Sequence, residues 1–349
     1  MRQQRSMKQQ RGVALIIVML VVALVSVIAV NMSGRMQTSV VRTANFQEAE
    51  QAYWYALSAE EIVKDLLLTE LKDADGVVHR QQQWYLQSQN AQLYPVEGGA
   101  IGGVIRDLQA CFNLNALKTA PEDQNLLTRR KAQLRMLMTE AMEEPDSYTI
   151  DVVVDSLADW LDEDSELGGS YGAEDADYES LRFPYRAANG MMTHISEFRL
   201  VRGVSQALFL ELKPYICVLP RDSKLQINVN TVEDDQSALL YAVTLGAMSL
   251  SDAAGFLQNR PESGYDSLDA ARAAPALTSA AAAKLDPNLG GGVRPDTIEL
   301  GGALDDLNVT SEYFGLQAEI RFGELRLHAR SQFLVTPEGV TTVYRGFGD

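Results

Sequence analysis

Histidine and cysteine are nearly missing from this chain of 349 residues, which has three of the first and two of the second. His79, His194 and His328 stand far apart, with neither HExxH nor any zinc-ligand spacing. No G-x-S-x-G nucleophile elbow occurs. The run GGAIGG at residues 98–103 lacks the GK[ST] of a phosphate loop. Acids are plentiful, but so crowded that no single carboxylic acid is set apart to hold a proton. These absences argue against an enzyme. Basic residues are also scarce: 30 Lys and Arg against 47 Asp and Glu leave a net charge of -17, which disfavours binding to phosphate backbones. In an oxidising compartment Cys111 and Cys217 would be natural disulfide partners, and in the cytosol buried free thiols.

The N-terminus decides between those compartments. Residues 1–12 hold Arg2, Arg5, Lys8 and Arg11 and no acid. From Val13 to Val30 the sequence VALIIVMLVVALVSVIAV carries no charge, and the next charge is Arg35. That is enough for a helix to cross a hydrocarbon core, which takes about 20 residues. Basic residues ahead of the span keep the N-terminus cytoplasmic and send the rest across. A secretory h-region would be shorter, about 7–15 residues; a plain signal anchor fits the hydrophobicity equally well.

Beyond Arg35 no Pro or Gly interrupts the chain until Gly76, and Val41, Ala44, Ala52, Ala56, Ala59, Val63 and Leu66 share a face. The span and this stretch predict one helix of about 60 residues, roughly 90 Å long, which stops at Asp73–Gly76. The aromatic run QAYWYA at 51–56 reads as packing. Strand-like runs follow at 98–108 and again in GLQAEIRF, ELRLHARSQFLV and VTTVYRGF near the C-terminus. Between them, FNLNAL at 112–117 is echoed by INVNTV at 227–232, each ahead of an amphipathic stretch. The order predicts an α+β fold: a long transmembrane helix, a pilin-like head of helix plus antiparallel sheet, and a large all-helical insertion. The expected divisions are 1–12 leader, 13–34 span, 35–111 remaining helix and first strands, 112–215 first helical module, 216–300 second helical module and 301–349 last strands. The second module is similar to helix-hairpin-helix (SAM-like) units, but Leu245-Gly246-Ala247 offers one glycine and no basic flank. Packing or partner contact is the expectation there, and DNA is not.

Residues 151–180 hold eleven Asp or Glu and no Lys or Arg. Asp155, Asp159 and Asp162 fall on one helix face, with the helix expected to end near Gly168-Gly169. Asp164 follows, and after a glycine-rich turn come Glu174, Asp175 and Asp177. Two acidic strings that fold back can aim four to six oxygens at one point, the hard oxygen cage that Ca²⁺ takes. The spacing is not that of an EF-hand, and a solvated acidic loop is the competing reading.

Arg11-Gly12 against the apolar run resembles the processing site of type IV prepilins and pseudopilins. The resemblance implies cleavage between Gly12 and Val13 by a prepilin peptidase and methylation of Val13. Ile17 stands where most members have Glu, as in the K-type minor pseudopilin of type II secretion. The motifs RDLQACFNLNAL (106–117), DWLDED (159–164), GAEDADY (172–178), ISEFR (195–199) and KPYICVLP (213–220) resemble the same family. It implies a subunit that caps the pseudopilus tip with I- and J-type subunits, other pseudopilins and contact with exported proteins, its head periplasmic and its anchor in the inner membrane. It further implies one or two calcium ions on Asp162, Asp164, Glu174 and Asp175, with Asp159 and Asp177 beside them, and a Cys111–Cys217 clamp. Two rivals remain: an unprocessed bitopic calcium-binding protein of the periplasm, and a minor pilin that handles DNA.

Overall fold

A computed structural model describes residues 11–74, 76–89, 92–283 and 302–348. Most of the leader and the end of the second module, 284–301, lie outside the described residues. Helix α1 runs unbroken from Arg11 to Asp73, 63 residues, about 95 Å of axis. It stops where Gly76, at φ 81°, turns its N–H back onto the Leu71 carbonyl; a residue with a Cβ would strain there. The first part is apolar enough to cross a membrane, with a mean hydropathy of 3.4 over its best window and none of that window buried.

The second part of α1 packs. Ala52, Ala56, Ala59, Val63, Leu67 and Leu71 recur every three or four residues and are all buried, one stripe of the helix surface. Val41 and Ala44, placed on this face from the sequence, are exposed instead, because the head begins beyond them. The aromatic run also divides. Ala52 and Ala56 do the packing, Tyr53 and Tyr55 lean on Phe347 and Phe322, and Trp54 stays 60% exposed.

After α1 come α2 (Gln83–Ser88), β1 (Tyr94–Val96) and β2 (Gly99–Asp107). The chain then makes two helical excursions. The first opens at β3 (Phe112–Asn113), holds α3 (Gln124–Ala141), α4 (Ser147–Leu161), α5 (Asp175–Glu179) and α6 (Gln206–Leu212), and closes at β4 (Ile216–Cys217). The second opens at β5 (Ile227–Asn228), holds α7 (Ser237–Val243), α8 (Leu250–Gln258), α9 (Leu268–Arg272) and α10 (Pro275–Ala282), and closes at β6 (Leu307–Asn308). Each excursion is thus tied at its mouth by a short parallel pair, β3 with β4 and β5 with β6. Strands β7 (Tyr313–Phe322), β8 (Leu325–Thr336) and β9 (Gly339–Phe347) end the fold. The head is one antiparallel sheet in the order β1-β2-β7-β8-β9.

Strand alternation assigns the two faces of this sheet. Ala329, Phe333 and Val335 of β8 join the alanine stripe of α1 in one core. Leu334 and Val343 point the other way, toward Cys217, Leu219 and Cys111. There the structure bonds Cys111 to Cys217, with the Cα atoms 5.8 Å apart, across the mouth of the first excursion.

The two helical modules of the sequence pack against each other in one core. Leu134 and Leu137 of α3, Val153 and Leu157 of α4, and Leu239 and Val243 of α7 belong to one buried cluster. The echoed N-x-N motifs have matching work. Asn115 exchanges two hydrogen bonds with the Met192 backbone (2.8 and 3.0 Å), and Asn230 does the same with Tyr265 (2.7 and 2.9 Å). A buried amide needs such partners for both its oxygen and its nitrogen. In each motif the first Asn accepts a bond from the N–H of the second.

Candidate metal centre

Helix α4 starts at an Asp146 cap, whose carboxylate accepts the Thr149 N–H at 2.9 Å. Its apolar face, Ile150, Val153, Val154, Leu157 and Leu161, is fixed in the core of the insertion, so the remaining positions on the helix are held firmly. The helix ends at Leu161 and not near Gly168-Gly169. Asp162, its C-cap, is already extended. Stacking the acids of Asp162-Glu163-Asp164 on further turns would set like charges on neighbouring positions; the chain instead doubles back.

The returning loop approaches closely because it is glycine-rich. A Cβ on Gly168 would lie 2.7 Å from Asp159 Oδ1, one on Gly169 2.6 Å from Asp155 Oδ2, and one on Gly172 would overlap Asp159 Oδ2. Gly168 N–H donates to Asp159 Oδ1 at 3.1 Å. Asn189 then ties a second loop to the first, donating from Nδ2 to the Asp164 carbonyl at 2.6 Å.

Within this fold the acids sort into two groups. Asp155 is neutralised by Lys131 at 3.1 Å and Arg135 at 3.2 Å, both from α3, and Asp151 pairs with Arg135 at 2.7 Å. Glu163 meets Lys118 at 3.0 Å. Asp175 accepts the Ala187 N–H at 3.1 Å, and Asp177 pairs with Arg202 at 3.2 Å while accepting the Glu174 N–H. Asp159, Asp162, Asp164 and Glu174 have no ion pair with a described residue. One carboxylate oxygen from each of Asp162, Asp164 and Glu174 lies within 4.8 Å of the other two. Asp159 Oδ2, Asp162 Oδ1, both oxygens of Glu174 and Asn189 Oδ1 are buried without a hydrogen-bond partner.

Buried, unpaired carboxylates are costly. Burial and the neighbouring Asp159, Asp162 and Asp164 push Glu174 up to about 7. Burial, Asp164 and Asp159 push Asp162 up to about 6. Burial also raises Asp159, against the bond from Gly168. Four clustered carboxylates, an amide oxygen with nothing to accept, and glycines that let backbone carbonyls come near form an all-oxygen donor set. That set fits a hard divalent cation such as Ca²⁺, which takes 6–8 oxygens, roughly 2.3–2.6 Å away. It does not fit zinc, which favours nitrogen and sulfur. The resemblance implies Asp175 as a ligand with Asp159 and Asp177 beside it; the structure instead engages Asp175 with the Ala187 N–H and Asp177 with Arg202, and leaves Asp159 unpaired next to Asp162, Asp164 and Glu174. What the sequence does not reveal is the screening of Asp155 by α3; the run TRRKAQLR at 128–135 is its only trace.

Comparison with known proteins agrees over both the insertion and the chain as a whole. The family model for type II secretion system (T2SS), protein K, matches residues 110–221, and a second model of that description matches 227–290. The chain is 41% identical over 266 residues to type II secretion system protein K of Aeromonas hydrophila, covering 74% of this chain and 78% of that one. It is 34% identical over 343 residues to the protein of the same description from Pectobacterium carotovorum subsp. carotovorum, covering 97% of each. Among solved structures it resembles a chain of the GspK-GspI-GspJ complex of the type 2 secretion system from enterotoxigenic Escherichia coli. That likeness has a TM-score of 0.73 at 32% identity, and covers 88% of this chain and 99% of that one. The chain therefore belongs to the type II secretion system protein K family, the K-type minor pseudopilins of that machinery.

Proposed function

We propose that this subunit caps the tip of the pseudopilus, where it works in the export of folded proteins from the periplasm across the outer membrane. A prepilin peptidase cuts between Gly12 and Val13, Val13 is methylated, and the apolar half of α1 holds the subunit in the inner membrane with its head in the periplasm. The observation that carries this reading is the likeness, over 88% of the chain, to a subunit of a GspK-GspI-GspJ assembly. By that analogy the partners are I- and J-type minor pseudopilins, with exported proteins meeting the tip. Ile17 supports the terminal position: a glutamate in lipid is costly unless a neighbouring subunit neutralises it, and a first subunit has no neighbour above. The helical excursions add bulk that leaves no seat for a further subunit. Calcium, as one or two ions, is held by Asp162, Asp164 and Glu174 with Asp159; when bound it supplies the positive charge that these carboxylates lack.

Intact-mass and N-terminal peptide analysis of the membrane-extracted chain, with and without prepilin peptidase, tests the pathway. A mature chain that begins at methylated Val13 only with the peptidase present is expected. A chain that still begins at residue 1 or 2 would leave an anchored periplasmic protein outside any filament. Removal of the excursions tests the cap: unchanged pseudopilus length and unchanged secretion would overturn it.

A further inference from the structure

The acidic run is followed by a segment of the opposite character. Residues 181–202 hold Arg182, Arg186, Arg199 and Arg202 against a single acid, Glu197. All four arginines are exposed. Arg186 and Arg202 are partly compensated, by Glu179 at 2.9 Å and Asp177 at 3.2 Å. Arg182 and Arg199 pair with no acid among the described residues. Their guanidinium groups lie over Phe183 and Phe209, 5.4 and 5.8 Å from the ring centroids. Apolar side chains stand exposed among them: Phe183 at 76%, Leu181 at 46% and Leu200 at 44%. Arginine with aromatic side chains is the composition of interface centres, set here on a chain of net charge -17.

This surface is fixed before anything binds. Asp175 accepts the Ala187 N–H at 3.1 Å, and the Tyr185 hydroxyl donates to the Leu200 carbonyl at 2.8 Å. The Tyr185 ring stacks on buried Tyr178 with centroids 5.3 Å apart. An open groove of about 490 Å³ begins at Arg199 and Leu200 and is lined also by Ser196, Glu197, Val204 and Ser205; the Glu197 carboxylate is already engaged by the Thr193 and His194 N–H groups. Rigid presentation lowers the ordering cost of association.

We propose that Leu181–Arg186, together with Arg199 and Leu200, is a docking surface for an acidic segment of a partner protein. Its carboxylates meet Arg182 and Arg199, and one of its apolar side chains enters the groove beside Leu200. Charge complementarity sets the choice of occupant, since a neutral or basic segment gains nothing from unpaired arginines. The proposal rests on the calcium reading in one respect. The segment follows α5, whose N-cap is Glu174, and precedes Asn189, which donates to the Asp164 carbonyl, so a cation in the candidate metal centre adds to the contacts that already hold it.

The test uses the full chain in detergent micelles and fluorescence anisotropy with a labelled synthetic peptide of alternating glutamate and leucine. A lysine-and-leucine peptide is the control, and calcium uptake is measured by calorimetry on the same sample. Binding of the acidic peptide is expected in calcium, weakened by salt, and lowered on the order of tenfold by R182E with R199E or by F183S. These residues are exposed, so the variants leave the fold intact, and thermal unfolding verifies that. Equal binding of both peptides, or binding unchanged in the variants, overturns the docking surface even where calcium is taken up. Selective peptide binding by a chain that takes up no calcium upholds the surface and overturns the calcium reading.

Discussion

Glu60 of α1 and Arg345 of β9, 285 positions apart, meet at two points, with Arg345 Nε donating to Glu60 Oε1 at 2.7 Å and Nη2 to Oε2. The Ser331 hydroxyl of β8 donates to the same carboxylate. Glu60 is the one buried acid among the described side chains of α1, and its side chain is 1% exposed. The pair fastens the sheet's edge strand to the long helix whose first part is apolar enough to cross a membrane.

Arg345→Ala strands the Glu60 carboxylate. The expected loss is roughly 3 kcal/mol, the low end for breaking a buried pair, because Arg345 keeps some contact with water. Burial alone would raise Glu60, but the bonds from Arg345 and Ser331 outweigh it and hold the carboxyl below its usual range. A depressed carboxyl stabilises the fold above its unfolded value, and that contribution is lost as the pH falls through the folded value. Chemical denaturation of wild type and R345A should therefore converge in acid and differ near neutrality.

The candidate metal centre has the opposite sign. Glu174 and Asp162 sit at about 7 and about 6 in the folded chain, above their unfolded values, so each is a penalty on the metal-free fold at neutral pH. That penalty fades as the pH falls through those values. The metal-free chain should lose less stability on mild acidification than the calcium-loaded chain, in which the carboxylates stay ionised. Melting curves in chelator and in calcium, near pH 8 and near pH 5.5, compare the two.

Calcium at a hundredfold over its Kd should add about 2.7 kcal/mol, roughly 5 °C in Tm for a chain of this size. Glu174→Gln should abolish that gain and leave the metal-free chain as stable as wild type or more so. A gain that survives in E174Q and in D162N would place the cation elsewhere.

Asp306 accepts hydrogen bonds from Arg129, Arg130 and Gln133 of α3, and all the charged members are buried. Burial opposes its charge, but Arg130 and Arg129 hold the Asp306 carboxyl below its usual range. Asp306→Ala removes the buried carboxylate that Arg130 and Arg129 share and should cost about 3–5 kcal/mol, read as a lower midpoint in denaturant.

Replacing Cys111 and Cys217 by serine releases a bridge with a sequence separation of 106. In the chain-entropy account a loop of that size is worth about 4–5 kcal/mol. The variant should melt earlier, and limited proteolysis should cut first near 108–118 or 213–220.

The elements most legible in the sequence are those whose signal is local. The span, the stop at Asp73, strands β2, β7, β8 and β9, and the acidic cluster all follow from periodicity and charge within short windows. What stayed hidden depends on partners distant in sequence. Nothing in residues 151–166 tells that Asp155 is screened while Asp159 is not, because the screening cations come from α3. Ala52 could not be told from Ala44 as the start of packing, since only the position of the sheet decides it. The Gln-rich stretch gave no sign of α2, whose helix is held by buried Trp84 and Ser88 and by Glu70 accepting the N–H groups of Gln83 and Trp84.

The chain has three tryptophans, and they sit in three distinct surroundings. Trp84 is fully enclosed against Phe314 in the core of the head, and Trp160 is enclosed against Tyr178 beside the acidic cluster. Trp54 stands in the open on α1. The protein thus carries its own optical reporters. Acrylamide should quench one emitter at once and reach the other two only as their cores open, and loss of that first quenching would signal another helix laid against α1.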